Sequence, residues 1–209
     1  MFIVDDDRRI CESLSELLST YDLQARTFGS ATEYMAYPKL DVPACLILDV
    51  ELPDINGLDL QRRAAPDNAP WSGPPIVFIT GHGDIPTSVR AMKAGAVDFL
   101  TKPFKPEELM RAIHAALELD RDARRKTADL ADLRQRLSSL TPRELEVLPL
   151  VVSGLLNKQA AAELGITDTT LQVHRGKIMK KMAAESLADL VRMATTLEIP
   201  MTHSRHAQK

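Results

Sequence analysis

The sequence has few cysteines and no long hydrophobic run, and both features limit the class of protein that it can encode. Its two cysteines, Cys11 and Cys45, have mostly apolar neighbours, which predicts reduced core residues rather than a disulfide or a metal pair. No apolar run approaches the roughly 20 residues of a membrane-spanning helix. A signal peptide is not indicated either, because acidic residues begin at Asp5. We therefore expect a soluble, cytoplasmic protein without a membrane partner.

The net charge of −3 is unevenly distributed along the chain. Residues 1–120 carry 11 Lys and Arg against 19 Asp and Glu, whereas residues 121–209 carry 15 against 10. A length of 209 residues suits two small domains, and a hydrophobic content of 44% allows each of them its own core. The basic surplus of the second half is weak evidence for a nucleic-acid partner.

The first half alternates apolar runs with helix-period segments, which is typical of an α/β fold with a doubly wound parallel sheet. We expect helices near 8–20, 30–36, 57–65 and 86–94, and a loop at 66–75, which holds four prolines. The first strand starts almost at Met1, which favours a natural chain that begins upstream. The five predicted strands are Phe2–Val4, Leu23–Thr27, Cys45–Leu48, Ile76–Ile79 and Asp98–Leu100.

The second half is predicted to be all-helical. Apolar residues with 3/4 spacing predict one long helix from about Pro106 to Leu140. Its polar middle leaves two interpretations open, a solvent-crossing linker or a weak coiled-coil dimer seam. Thr141, Pro142 and Glu144 predict an N-cap and capping box for the next helix. The proposed seam consists of Leu109, Ala112, Ala116, Leu119, Ala123, Lys126, Leu130, Leu133, Leu137 and Leu140.

Polar residues follow the predicted strands where the carboxyl ends of a parallel sheet would meet. Asp5 and Asp6, Asp49, Thr80 and Lys102 would converge there. Three close carboxylates repel one another unless a cation lies among them, and oxygen ligands suit Mg²⁺. One carboxylate could then attack phosphorus while Lys102 and Thr80 hold the product oxygens.

Each of these residues has an ordinary structural interpretation when taken alone. Asp5, Asp6 and Asp7 could form a helix cap and a solvated turn, and Asp49 could cap a loop. Lys102 and Pro103 could form a surface turn. Their occurrence together, in this order after successive strands, favours a functional site.

A helix-turn-helix is predicted over residues 157–182. Asn157–Leu164 forms the first helix, Gly165 is placed for a left-handed cap, and Thr167 caps a second helix that runs to about Met182. That helix would bury Leu171, Ile178 and Met182. A last helix follows at 186–197. The face that would meet a DNA major groove holds Thr169, Gln172, Val173, Gly176 and Lys180.

Four blocks in order give residues 1–118 a specific resemblance to response-regulator receiver domains, a flavodoxin-like fold with a five-stranded sheet. They are VDDD at Val4–Asp7, LDVELP at Leu48–Pro53 followed by Gly57, FITGHG at Phe78–Gly83 and LTKPF at Leu100–Phe104.

The resemblance implies that Asp49 accepts a phosphoryl group from a sensor histidine kinase. Asp6, Asp49 and the backbone carbonyl of Glu51 would ligate Mg²⁺, and Asp5 would contribute through water. Thr80 and Lys102 would hold the phosphoryl oxygens, next to a cis bond before Pro103. Phe99 would be the aromatic switch residue, although simple core packing is the alternative.

Residues 138–199 resemble the LuxR-type domain of NarL/FixJ regulators, nearest to the FixJ-like branch. The match lies in Leu140–Glu144, Gly154–Gln159, Val173–Arg175 and Ser186–Val191. It implies base contacts by Gln172 and Val173, and at Gly176, where Arg175 or Lys177 could compensate for the missing side chain. The expected phosphate contacts are Lys158, Lys177, Lys180 and Lys181.

We therefore expect a transcription factor that is not an enzyme. It would bind double-stranded promoter DNA as a homodimer after phosphorylation, and RNA polymerase would be a further partner. The expected parts are a receiver at 1–118, a helical linker at 119–140, a DNA-binding domain at 141–199 and a disordered tail at 200–209. The alternatives are an aspartyl-phosphate hydrolase, although Glu51 replaces the second Asp that such enzymes commonly need, and a constitutive DNA-binding protein with a vestigial receiver.

Overall fold

The computed structural model describes residues 1–38, 41–63, 71 and 73–200. Its sheet has five parallel strands in the order β2-β1-β3-β4-β5. The strands are β1 (Phe2–Val4), β2 (Arg26–Phe28), β3 (Leu46–Asp49), β4 (Ile76–Thr80) and β5 (Asp98–Thr101). The helices between them are α1 (Arg8–Ser19), α2 (Ala31–Ala36), α3 (Gly57–Arg63) and α4 (Ile85–Lys93). This confirms the predicted doubly wound fold.

The sheet is buried on both faces because successive side chains of a strand point to opposite sides. On one face, Ile47 and Val77 pack with α1 and with the start of the long helix α5 (Pro106–Ser138). On the other face, Leu48 and Phe78 pack with residues of α2, α3 and α4. Cys11 and Cys45 are free and buried, as predicted.

The second strand is shorter than predicted. Strand β2 begins at Arg26 and not at Leu23, because α1 ends in a turn in which Asp22 has φ 58° and the Leu23 N–H bonds the Leu18 carbonyl. The end of the predicted helix at 57–65 and most of the predicted loop at 66–75 lie outside the described residues. So does the predicted tail beyond Pro200.

The predicted long helix is present as α5, and Leu119 of its proposed seam lies outside the face that is buried in this structure. That side chain is 55% exposed, and the buried face continues instead through Leu117 to Asp120. The Asp120 carboxylate accepts from the Ala44 N–H at 2.9 Å and from the Arg124 Nε at 2.7 Å. A polar contact therefore anchors α5 to the segment just before β3.

Residues 1–124 and 125–209 form two compact units. The second contains α6 (Pro142–Val152), α7 (Asn157–Leu164), α8 (Asp168–Met182) and α9 (Leu187–Thr196). Thr141 caps α6 in a capping box with Glu144, Gly165 ends α7 with φ 63°, and Thr167 caps α8, all as predicted. None of the described helices combines the length and the hydrophobicity needed to cross a bilayer. The core of this unit includes Val147, Leu148, Ala160, Leu171, Ile178, Met182 and Leu190.

Candidate functional site

The predicted polar residues lie together at the carboxyl edge of the sheet. Asp5 follows β1, Asp49 ends β3, Thr80 ends β4 and Lys102 follows β5. The strands that carry them are neighbours, and their register pairs Val4 with Leu48 and Thr80 with Thr101. Residues up to 97 positions apart in sequence are therefore brought to one edge, where α/β sheets bind ligands.

Lys102 joins two buried carboxylates. Its Nζ lies 2.6 Å from Asp5 Oδ2 and 2.8 Å from Asp49 Oδ2. Asp5 is 1% exposed and Asp49 6%. Their other oxygens accept from backbone N–H groups, those of Asp7 at 2.9 Å and of Glu51 at 3.1 Å. The two buried carboxylates thus share one ammonium, and each also accepts a hydrogen bond from one backbone amide.

Burial opposes the charged form of both partners of the Asp5–Lys102 pair. Burial raises the pKa of Asp5, and the hydrogen bonds from Lys102 and the Asp7 amide offset this only in part. Burial also tends to lower the pKa of Lys102, but its hydrogen bonds to Asp49 and Asp5 outweigh that effect and raise it. The ammonium therefore stays protonated, and its one positive charge faces the two buried carboxylates that it contacts.

This donor set fits Mg²⁺. Carboxylate oxygens of Asp5, Asp6 and Asp49 all lie within 4.8 Å of one another, and Asp6 is exposed. Three carboxylates face one ammonium, and hard oxygen ligands with access to water are what Mg²⁺ prefers. The Glu51 side chain does not join this cluster, since its carboxylate is exposed and lies 3.4 Å from His82 Nδ1. The expected contribution of Glu51 is its backbone carbonyl, which stays a prediction.

Thr80 and Phe99 lie beside the charged residues. The fully buried Thr80 hydroxyl accepts from the His82 N–H at 3.1 Å and donates to the His82 carbonyl at 3.3 Å, so it bonds its own loop. The half-buried Phe99 ring is 6.3 Å from the Phe78 ring between centroids. The bond between Lys102 and Pro103 is cis, as expected from the resemblance.

In the second unit, one face of α8 is open to solvent. Val173 on this face is 52% exposed, opposite the buried Leu171, Ile178 and Met182. Lys158 on α7 is also exposed. The exposed residues of α8 that were predicted to contact DNA are Thr169, Gln172, Val173, Gly176, Lys177 and Lys180.

Two other cations predicted to meet DNA are bonded within the protein. Arg175 Nη1 donates to Asn157 Oδ1 at 3.0 Å and so joins α8 to the first residue of α7. Lys181 Nζ donates to Glu144 Oε2 at 2.7 Å and to the Ser139 carbonyl at 3.0 Å. Both side chains therefore also hold α8 to neighbouring segments, and their DNA contacts stay predictions.

Sequence reasoning missed one residue near the phosphoacceptor candidate. The Asp54 carboxylate accepts from the Thr32 hydroxyl at 2.6 Å and from the Thr32 N–H at 2.8 Å, which ties the loop after β3 to α2. Hydrogen bonds from Thr32 lower the pKa of Asp54 to about 2. No spacing signal could have revealed this contact, because the two residues are 22 positions apart and meet only when α2 and the loop after β3 pack together.

Comparison with known proteins agrees with both halves of the chain. A family model described as "Response regulator receiver domain" matches residues 1–114, and one described as "Bacterial regulatory proteins, luxR family" matches residues 138–194. Nodulation protein W of Bradyrhizobium diazoefficiens is 49% identical over all of this chain and 90% of that relative. Response regulator protein TodT of Pseudomonas putida is 44% identical over 95% of this chain and 86% of its own.

Solved structures give the same result. A low-resolution structure of the response regulator StyR shares 43% identity, with a TM-score of 0.81 over 93% of this chain and 96% of that one. The relatives found include transcriptional regulators named FixJ, from three organisms. The chain therefore belongs to the two-component response regulators of transcription that combine a receiver domain with a LuxR-type helix-turn-helix.

Proposed function

We propose that Asp49 is the phosphoryl acceptor and that its modification controls DNA binding by the second domain. The observation that carries this proposal is the contact between the buried Asp49 carboxylate and the Lys102 ammonium, beside two further carboxylates. This arrangement offers an oxygen nucleophile next to a fixed positive charge, which is what transfer to a carboxylate needs.

In the proposed reaction an Asp49 oxygen attacks the phosphorus of a phosphohistidine on a sensor histidine kinase. The new O–P bond forms as the P–N bond breaks, and the departing imidazole takes a proton from solvent. Lys102 moves its hydrogen bond from the carboxylate to a phosphoryl oxygen and stabilises the charge there. Mg²⁺ would be held by Asp6, Asp49 and the Glu51 carbonyl, with Asp5 contributing through water, and it would further neutralise the phosphoryl oxygens.

We propose that Thr80 and Phe99 carry the signal onward. The Thr80 hydroxyl would leave His82 and donate to the phosphoryl group, and the Phe99 ring would move toward the space that becomes free. Hydrogen bonds of 3.1 and 3.3 Å inside one loop can be exchanged for a charge-assisted bond at a net gain. The population then shifts because the phosphoryl group binds one state better than the other.

The exposed face of α8 is proposed to enter the major groove of double-stranded promoter DNA. Gln172 can pair bidentately with adenine, and Val173 can contact a thymine methyl group. Lys158, Lys177 and Lys180 would contact phosphates, which position the domain without reading sequence. We further propose that the protein acts in the cytoplasm as a homodimer, with α9 at the dimer surface, and that RNA polymerase is a partner on the promoter.

The phosphoacceptor is tested by incubating the full chain with acetyl phosphate and Mg²⁺ and measuring its intact mass. We expect one added phosphoryl group in the wild type and none in Asp49→Asn. Asp84→Asn is the matched control, because Asp84 is an exposed N-cap of α4 and asparagine can still cap. Phosphorylation that survives Asp49→Asn would refute the site.

The base contacts are tested by comparing Gln172→Ala with Lys158→Ala on a duplex selected from random sequences. Gln172→Ala should reduce discrimination between bases, worth about 1–3 kcal/mol for a bidentate pair. Lys158→Ala should weaken binding to all sequences and lower the salt slope by about one. An equal loss of discrimination in both variants would contradict this assignment.

A further inference from the structure

Three polar contacts join the last turn of α8 to the segment where α5 ends and α6 begins. Arg136 Nη1 donates to the Met182 carbonyl at 3.1 Å. Lys181 Nζ donates to the Ser139 carbonyl at 3.0 Å and forms an ion pair with Glu144 at 2.7 Å. We call these three contacts the α5–α8 clamp.

The surroundings of the clamp make it stiff. Glu144 is only 2% exposed, and its carboxylate also accepts from the Thr141 N–H in the capping box. Leu140 and Met182 are buried in the same core next to the polar contacts. A buried carboxylate that lost its lysine would keep only the Thr141 N–H as a partner, so the arrangement has few alternatives of similar energy.

The clamp also uses the free end of the helix. The last carbonyls of an α-helix have no partner within the helix, and cations near that end are favoured by the helix dipole. Arg136 fills this role at Met182. Its guanidinium also forms an ion pair with Asp132, one turn earlier on α5, with 2.7 Å between Nη2 and Oδ2. The end of α8 is therefore bonded by a side chain that α5 itself fixes.

We infer that Lys181 and Arg136 are positioning residues that attach the DNA-reading helix α8 to the end of the linker helix α5. A displacement of the last turns of α5 would then move α8 with it and change how the exposed face meets a groove. The inference rests on the proposed role of α8 in reading DNA. It gives Lys181 a different task from its neighbour Lys180, which is exposed.

The test compares Lys181→Met with Lys180→Met in the full chain. Binding to a selected duplex and to a scrambled duplex is measured across a range of salt concentrations. Lys180→Met should lower the salt slope by about 0.9 and weaken both duplexes equally, because a phosphate contact is lost. Lys181→Met should keep the slope and reduce discrimination about tenfold, and Lys181→Arg should restore most of it.

A second variant and a second measurement guard against a failure to fold. Glu144→Gln removes the charge that holds Lys181 but keeps a side chain able to complete the capping box. It should reduce discrimination without changing the salt slope. In Lys181→Met and in Glu144→Gln alike, hydrogen exchange should become faster at all four of the backbone amides of Ser139, Leu140, Ala183 and Ala184.

The results separate the two proposals. Lys181→Met with a reduced salt slope and unchanged discrimination would make Lys181 a phosphate contact and overturn the inference. Unchanged hydrogen exchange in Glu144→Gln would also overturn it. Wild-type protein that binds selected and scrambled DNA equally would instead contradict the proposed DNA contacts, while the exchange data would still test the clamp.

Discussion

Each half of the molecule contains a buried carboxylate paired with a lysine, yet the two pKa values shift in opposite directions. Burial raises the pKa of Asp5 beside Lys102, whereas hydrogen bonds from Lys181 and the Thr141 amide lower the pKa of Glu144 to about 2. Both lysine–carboxylate distances are short, 2.6 and 2.7 Å. The difference lies in the surroundings, because burial is the largest cause of the pKa shift at Asp5, whereas hydrogen bonding is the largest cause at Glu144.

The two sites also differ, independently of the pKa shifts, in their balance of charge. Lys102 is shared between Asp5 and Asp49, and Asp6 adds a third carboxylate close by. Lys181 faces the single carboxylate of Glu144, which the capping box also satisfies. A pair with excess negative charge is suited to receive a cation and a phosphoryl group, while a balanced pair is suited to hold helices together.

The largest effect is expected where the shared lysine is removed. Lys102→Met should slow phosphorylation by acetyl phosphate about 10²–10³-fold, because the charge that stabilises the transferred group is lost. The measurement is the rate at which the phosphorylated mass appears at fixed Mg²⁺. Lys105→Met, which changes an exposed lysine three residues away, is the control and should leave the rate unchanged. Equal rates in the two variants would mean that Lys102 serves only the fold.

The residues of this site were predictable because the strand pattern is strong. Continuous apolar runs located β3 and β4 to within a residue, and the parallel topology then required Asp5, Asp49 and Lys102 to share an edge. The predicted caps at Thr141, Gly165 and Thr167 are likewise present, since capping depends on local sequence. Local and periodic signals therefore recovered most of the fold.

The signals gave no information where a side chain's partner is set by packing. The phosphate contact of Lys181 stays a prediction, and its partner Glu144 was missed because it lies 37 residues earlier and meets Lys181 only when α6 packs on α8. Asp120 was not singled out at all, because α5 turns it inward to bond the Ala44 amide, 76 residues away. A sequence shows that a residue is charged and lies on a helix, but it does not show which distant group forms a hydrogen bond or an ion pair with that residue.

A smaller effect is expected from neutralising the balanced pair. Glu144→Gln should lower the free energy of unfolding of the second domain by about 1.5 kcal/mol at pH 7. This is the lower end for a hydrogen bond to a charged group, because Lys181 is partly exposed. Glu146→Gln on the same helix breaks an exposed pair with Arg143 and should cost less than about 0.5 kcal/mol. Denaturant unfolding of both variants checks the contrast.

The stabilisation that Glu144 provides depends on pH in a defined way. The pKa of Glu144 is about 2 in the folded protein and 4.5 ordinarily, so its stabilisation is complete above the ordinary pKa and is lost as the pH falls from about 5 to 2. Glu144→Gln should flatten the stability profile in this interval. A profile as steep as that of the wild type would show that other carboxylates dominate acid unfolding.

Excess negative charge in the first domain predicts stabilisation by metal. Mg²⁺ at tenfold its dissociation constant should stabilise the receiver by about 1.4 kcal/mol, and a chelator should reverse this. Asp6→Asn should weaken the effect by removing the exposed carboxylate of the cluster. Thermal unfolding with and without Mg²⁺ gives the comparison. Stabilisation that is equal in Asp6→Asn and in the wild type would place the ion elsewhere.

The smallest effect is expected on the exposed face of α8, where no buried charge is involved. A Cβ added at Gly176 would meet no atom within 4 Å, so Gly176→Ala should stabilise the free protein by about 0.5–1 kcal/mol through helix propensity alone. If the groove approaches this backbone closely, the added methyl group should weaken binding to the selected duplex while thermal stability rises. Opposite changes in the two measurements would show that the glycine is needed for contact with DNA. A parallel gain in both would show that the face stands away from the bases at this position, and that Gln172 and Val173 read the sequence without it.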